Sequence, residues 1–215
     1  MSQPQAIIFD LDGVLTDTSE YHYQAWKHLA DDEGIPLTHE ENDEHLRGVG
    51  RRESLMYIIR GHQYSEDQIQ EMMERKNRYY HALIERMTPK EVVPGGVALL
   101  EEIKSAGIKV AIASASKNCR LVLDRLQLTS YFDGIADGNC VVNGKPAPDI
   151  FVYAAGLVNV FTPNCIGVED ADAGIQAIKA AGMKAVAIGP ASRFHGPDKV
   201  LPTMENKHLK DLLVE

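Results

Sequence analysis

The feature that most constrains this chain is a short apolar run, Ala6-Ile7-Ile8-Phe9, that stops abruptly at Asp10-Leu11-Asp12-Gly13. A run without polar alternation suits a strand buried on both faces, and such strands belong to parallel sheets. Similar runs recur at Val110-Ala111-Ile112-Ala113, Cys165-Ile166-Gly167-Val168 and Ala185-Val186-Ala187-Ile188. Helical patterns separate them: Val97, Leu100, Ile103 and Lys104 before one strand, Ile175, Ile178 and Ala181 before another. Both helices run into Ala-Gly, at Gly107 and Gly182, where a positive φ ends a helix. A strand follows each glycine at once. Alternating helices and strands predict an α/β fold, doubly wound around a parallel sheet.

Residues 17–88 break that pattern. They contain no buried-strand run. A helix is expected over roughly Tyr21 to Asp32, stopping near Gly34-Ile35-Pro36. Ser65 and Gln68 fit a capping box opening a second helix, with Ile69, Met72, Met73, Tyr80, Leu83 and Ile84 at helical spacing. The reading is an all-helical insert, 17–88, between the two parts of an α/β core, 1–16 and 89–215. An insert directly after the first strand falls at the carboxyl ends of the strands, where open α/β sheets bind ligands.

Composition narrows the partners. The formal net charge is −9 and no block of Lys or Arg stands out, so no nucleic-acid partner is expected. No stretch approaches a membrane span, and the first residues lack the pattern of a secretion signal. Cys119, Cys140 and Cys165 form no CxxC pair, which argues against a disulfide framework or a zinc site. They read as small buried apolar residues of a cytoplasmic protein. A monomer is expected.

The polar residues at the predicted strand ends carry chemistry. They are Asp10 and Asp12, Ser114 to Asn118, Lys145 after the weak strand Gly134-Ile135-Ala136, and Glu169 with Asp170. In a parallel sheet these ends share one edge. Four carboxylates crowded there would repel and raise one another's pKa. A hard divalent ion with oxygen ligands resolves this, which points to Mg²⁺ and a phosphorylated ligand. Lys145 offers a point charge to phosphate oxygens. The Ser114 hydroxyl and the N–H groups of the next turn add donors. A carboxylate can attack phosphorus, and a second one two residues on can trade protons with the attacking or leaving oxygen. Asp10 and Asp12 have that spacing. Taken singly, the Asp-x-Asp-Gly run is a turn, Glu169-Asp170 an acidic helix start, and Lys145-Pro146 a loop. An EF-hand is excluded, because Val14 and Leu15 stand where a ligand and a glycine belong. Their joint occurrence in one αβ series favours catalysis.

Asp10-x-Asp12-Gly13-x-Leu15-x-Asp17, Ser114, Lys145-Pro146-x-Pro148-Asp149 and Gly167-x-Glu169-Asp170 together resemble the signature of the haloacid dehalogenase-like superfamily. The resemblance spans essentially the whole chain. It implies a Rossmann-like three-layer core with a helical cap inserted after the first motif. It implies Asp10 as nucleophile, Asp12 as general acid and base, and Asp10, the Asp12 carbonyl, Glu169 and Asp170 around Mg²⁺.

The insert narrows the branch. Asp17-Thr18-x-Glu20-x-His22-x-x-Ala25-Trp26, Arg47-Gly48-Val49-Gly50-Arg51-x-x-Ser54-Leu55, Lys76-Asn77 and Ser114-Ala115-Ser116-Lys117-Asn118 resemble the β-phosphoglucomutase branch. Sugar phosphates and sugar bisphosphates are then the implied substrates. A mutase must hold two phosphates, and Arg51, Ser116, Lys117 and Asn118 would cradle the second. His22, Trp26, Gly48, Val49, Ser54, Lys76 and Ala115 are implied in substrate binding, with Thr18 at the hinge. Lys76 lies on the apolar face of its helix, where the plain reading is a snorkelling side chain. Gly50, Gly144 and Ala171 depart from the branch pattern and leave the sugar open. A sugar-phosphate phosphatase of the same fold is the chief alternative. A non-catalytic homologue would have lost Asp10 or Asp12, and a dehalogenase would have lost Asp12.

Overall fold

The computed structural model describes residues 3–46 and 49–214. Arg47 and Gly48, both singled out from the sequence, lie outside the described residues. The chain divides into two compact units, one of residues 1–17 and 88–215 and one of residues 18–87.

The first unit is built on six parallel strands: β1 (Ala6–Phe9), β2 (Lys109–Ala113), β3 (Gly134–Ala136), β4 (Cys165–Glu169), β5 (Lys184–Ile188) and β6 (Lys199–Leu201). Their order across the sheet is β3-β2-β1-β4-β5-β6. The direction of winding reverses between β1 and β4, which makes their carboxyl ends the switch point where such sheets bind ligands. Strand β6 has no counterpart in the apolar runs, because Lys199-Val200-Leu201 is short and half-buried at the sheet edge. Both faces are covered, as the uninterrupted apolar runs require. Ala6 and Ile8 of β1, Ala111 and Ala113 of β2 and Ala185 and Ala187 of β5 form one cluster with Phe151, Ala154, Ile175 and Ile178. Those come from α7 (Asp149–Leu157) and α8 (Asp172–Ala180). Small residues on both sides let helix and sheet approach closely, and at Gly167 a Cβ would overlap Ile178. Ile7, Phe9, Val110 and Ile112 point the other way by strand alternation and are fully buried as well. There α5 (Gly96–Ser105) lies against β2 through a buried stripe of Leu99, Leu100 and Ile103. Each such side chain contributes about 1.5–3 kcal/mol by leaving water.

The helix stops are those expected. Gly107 and Gly182 take φ of 74° and 76° just past α5 and α8. The segments leaving and rejoining the sheet are tied together: Val93 N–H donates to Leu15 C=O at 2.9 Å, and the Thr16 hydroxyl to Glu91 C=O at 2.8 Å. Short helices α6 (Cys119–Arg125) and α9 (Leu209–Leu212) complete this unit.

The second unit holds α1 (Ser19–Asp32), α2 (His39–His45), α3 (Arg51–Ile58) and α4 (Glu66–Ile84), with no strand among its described residues. Ser65 caps α4 in a two-way capping box with Gln68, and Thr38 does the same for α2 with Glu41. The second box was not anticipated, since α2 is too polar to show an apolar period. Trp26 and Leu29 of α1 pack with Leu55 and Ile58 of α3 and Ile69 and Met72 of α4. Arg52 makes a two-pronged ion pair with Glu66 at 2.6 and 2.8 Å. Among the described residues no helix is long and apolar enough to cross a membrane.

Candidate active site

The carboxyl ends of β1, β2, β3 and β4 carry the polar groups. Asp10 follows β1, and its N–H donates to Val168 C=O at 2.9 Å, so the residue is still held by the sheet ladder. Its side chain is almost wholly buried. The Lys145 ammonium donates to Asp10 Oδ1 at 2.6 Å and to Glu169 Oε2 at 2.9 Å. It arrives from the loop between β3 and α7, 135 positions along the chain from Asp10.

One cation therefore serves two buried carboxylates, with Asp170 next in the chain. Burial alone would lower Lys145, but the charges of Asp10 and Glu169 hold its ammonium above the ordinary lysine range. Burial pushes the Glu169 carboxyl up to about 8, the charge of Asp10 adds to this, and Lys145 opposes it. The site is short of positive charge. Oxygens of Asp10, Glu169 and Asp170 lie within 4.8 Å of one another, a donor set suited to a hard divalent cation. Gly13 makes room for that set. It has a φ of 76°, and a Cβ there would fall inside the Asp170 carboxylate. Gly174 does the same for Glu169, whose side chain occupies the space where a Cβ would stand. Asp12 lies in the turn that Gly13 closes, where Gly13 N–H donates to Thr16 C=O at 2.7 Å.

Beyond β2, Ser114 is buried and its N–H donates to Ala136 C=O at 3.0 Å, extending the pairing of β2 with β3. Ser114 Oγ accepts Ser116 N–H at 3.1 Å, and Ser116 Oγ accepts Asn118 N–H at 3.2 Å. The loop is thus wound around its own hydroxyls. Among the described residues the N–H groups of Ala115 and Lys117 have no protein acceptor. A small cleft of about 110 Å³ lies between Ala115, Gly138, Val141, Gly144 and Lys145. A larger hollow of about 510 Å³ lies at the opposite edge of the sheet, near Gln5, Lys109 and Val160, and among the described residues no acid, hydroxyl or thiol side chain lines it.

The helical unit gathers a second group. Lys76, on α4, is buried, and its ammonium lies 2.9 Å from His22 Nδ1, over the rings of Trp26 at 4.6 Å and Tyr80 at 4.8 Å. Snorkelling is excluded: the ammonium points inward, and among the described residues no carboxylate pairs with it. Burial, and then the charge of Arg51, hold Lys76 well below the ordinary lysine range. Burial, with the charges of Lys76 and Arg51, likewise holds His22 low, so its neutral ring can accept from Lys76. His22 stacks on Tyr80 with ring centroids 4.0 Å apart. Arg51 donates to Asn77 Oδ1 at 2.9 Å. Three basic side chains are therefore held together by aromatic faces and amides, a setting that favours an incoming anion. Ser54 is buried with its hydroxyl on Val49 C=O at 3.4 Å, Val49 is exposed, and Thr18 is buried just before α1.

Two features were not foreseen. Cys140 is only partly buried, unlike Cys119 and Cys165, and it donates its S–H to Asp137 at 3.7 Å. Asp137 itself is a buried acid at the end of β3. In the sequence it follows the weakest strand, so nothing marked it. Burial, followed by the charges of Asp12, Asp10 and Asp137, pushes the Cys119 thiol up and keeps it inert.

The chain is similar to known proteins over most of its length. The profile of the haloacid dehalogenase-like hydrolases matches residues 4–182. The chain is 44% identical over 201 residues to the β-phosphoglucomutase of Bacillus subtilis (strain 168), covering 92% of this chain and 88% of that protein. The crystal structure of β-phosphoglucomutase from Clostridium difficile superposes with a TM-score of 0.89 at 40% identity, covering 97% of this chain and 95% of that one. The phosphorylated carbohydrates phosphatase of Thermotoga maritima is 32% identical over 187 residues, 85% of this chain and 83% of that protein.

Proposed function

The chain belongs to the haloacid dehalogenase-like hydrolase family, and from that premise we propose that it is a Mg²⁺-dependent phosphomutase of the β-phosphoglucomutase type. It interconverts β-D-glucose 1-phosphate and glucose 6-phosphate through an aspartyl phosphate on Asp10 and a glucose 1,6-bisphosphate intermediate. The observation that carries the phosphotransfer reading is the Lys145 ammonium held between Asp10 and Glu169.

The chain's own groups divide the work. Asp10, ion-paired with Lys145, attacks phosphorus through its carboxylate oxygen. Asp12 takes the proton of the attacking sugar hydroxyl and returns it to the leaving oxygen in the reverse step. Ser114, whose Oγ already accepts Ser116 N–H, directs its own O–H toward a phosphate oxygen. Lys145 neutralises charge as the phosphoryl group passes. Asp10, Asp12 through its carbonyl, Glu169 and Asp170 would hold Mg²⁺, which when bound supplies charge neutralisation to the phosphate. We assign the second phosphate to Arg51, Ser116, Lys117 and Asn118. The sugar falls to His22, Trp26, Val49, Ser54, Lys76 and Ala115. Residues 18–87 serve as the cap, with Thr18 at its hinge.

A phosphatase is the second reading, favoured by the likeness to the Thermotoga maritima enzyme. A product assay separates the two. The protein receives β-glucose 1-phosphate, Mg²⁺ and a trace of glucose 1,6-bisphosphate, and glucose 6-phosphate and free phosphate are followed in parallel. Glucose 6-phosphate in large excess over free phosphate is expected, and Asp10→Asn should abolish it without lowering the thermal midpoint. Free phosphate alone would replace the mutase with the phosphatase.

A further inference from the structure

One buried carboxylate plays no part in this scheme. Asp137 directly follows β3 and is 5% exposed. It accepts Asn139 N–H at 2.9 Å, Arg120 Nε–H at 3.1 Å and Cys140 S–H at 3.7 Å. Those bonds fold residues 137–140 into a tight turn, which Cys140 N–H closes on Asp137 C=O at 2.9 Å. Arg120, in the first turn of α6, reaches past Asp137 to Ile135 C=O at 3.0 Å. Asp137 is therefore joined to the helix on the far side of the loop 114–118 as well as to its own strand.

The turn holds that loop by its carbonyls. Gly138 N–H donates to Ser116 C=O at 3.2 Å, and Asn139 Nδ2 to Lys117 C=O at 3.4 Å. Gly138 has no room for a side chain, because the Ala115 carbonyl fills the place of a Cβ. A trans peptide points its C=O and N–H in opposite directions. With the Ser116 carbonyl drawn to Gly138, the Lys117 N–H must face away from the turn, where no described protein group accepts it. With the Lys117 carbonyl on Asn139, the Asn118 N–H faces Ser116 Oγ, the bond that winds the loop. The orientation of the Lys117 and Asn118 N–H groups thus traces back to the turn, and the turn to Asp137.

We propose that Asp137 is the positioning residue of residues 116–118, acting through the turn 137–140, and that it sets the affinity for the substrate's phosphate and not the chemistry at Asp10. The proposal rests on the assignment of that loop to phosphate binding. Asp137→Ala leaves three donors without an acceptor, whereas Asp137→Asn keeps an oxygen for Asn139 and Cys140.

Two measurements on the full chain test this. Amide hydrogen exchange across 115–119 is expected to be at least about tenfold faster in Asp137→Ala and near wild type in Asp137→Asn, with β1 and β4 unchanged in both. The KM for β-glucose 1-phosphate should rise about tenfold in the Ala variant with kcat within about threefold, and the Asn variant should recover most of that loss. Should Asp137→Ala not fold, Asn139→Ala removes only the bond to Lys117 C=O, and its KM should rise about threefold. Unchanged exchange at 115–119 would overturn the proposal. So would a fall in kcat with KM constant and no recovery by Asn. A wild-type protein that makes no glucose 6-phosphate would sink the mutase reading instead. The exchange data, and the KM for whichever phosphate ester is then turned over, would still decide the role of Asp137.

Discussion

Lys76 shows how a single residue can oppose stability. Its ammonium is buried among His22, Trp26 and Tyr80, and among the described residues no carboxylate pairs with it. Its folded pKa lies well below that of the unfolded chain, so the unfolded state binds more protons between those two values. Stability must then rise with pH across that window and be lowest below it. Lys76→Met removes the burden and should stabilise the protein by about 1–3 kcal/mol near neutrality, roughly 2–4 °C in Tm per kcal/mol. The advantage over wild type should shrink as pH climbs toward about 10. Thermal melts of both proteins between neutral and alkaline pH check this, and an advantage independent of pH would refute it. The same substitution should cost sugar-phosphate turnover at least about tenfold if Lys76 contacts substrate. A residue that costs stability and supports turnover is a mark of functional placement.

At the scale of the element, the turn after β1 depends on Gly13. Its positive φ closes the Asp12-to-Thr16 turn, and its missing Cβ leaves space for Asp170. Gly13→Ala should cost about 1–3 kcal/mol through backbone strain. It should also cut activity by about 100-fold by displacing Asp170. Gly107 provides the contrast, since its φ is also positive but nothing lies within 4 Å of its Cβ position. Gly107→Ala should lose comparable stability and keep its kcat. Equal activities in the two variants would show that the space beside Asp170 is immaterial. The helix stops at Gly107 and Gly182 and the box at Ser65 and Gln68 were legible in the sequence because each depends on neighbours within one turn. Strand β6 and helix α2 were not, because neither has an apolar period. One is half-buried at a sheet edge, and the other is held by the cap at Thr38.

For the molecule as a whole, the crowded acids of the α/β unit predict a response to metal. Asp10 and Glu169 share the Lys145 ammonium, an Asp170 oxygen lies within 4.8 Å of both, and a divalent cation can bind this donor set only in the folded chain. Mg²⁺ at a hundredfold excess over its Kd should add about 2.7 kcal/mol. That corresponds to a rise in Tm of about 5–10 °C. A chelator should reverse the rise, and Asp170→Asn should largely abolish it. A midpoint unmoved by Mg²⁺ would take the cation out of this site.

By itself the sequence determined the α/β class and the parallel strands, because runs such as Ala6–Phe9 are stable only where both faces are covered. It also determined which residues lie at strand ends, since those follow from local boundaries. Only the tertiary structure decided how they meet. That Lys145 reaches both Asp10 and Glu169, that Lys76 points inward, and that Asp137 pairs with Arg120 depend on groups brought together from far apart in the chain. Local pattern records burial and turn geometry. It carries no information on the direction of a long side chain or on the partner of a buried charge, and both are settled only when the elements pack.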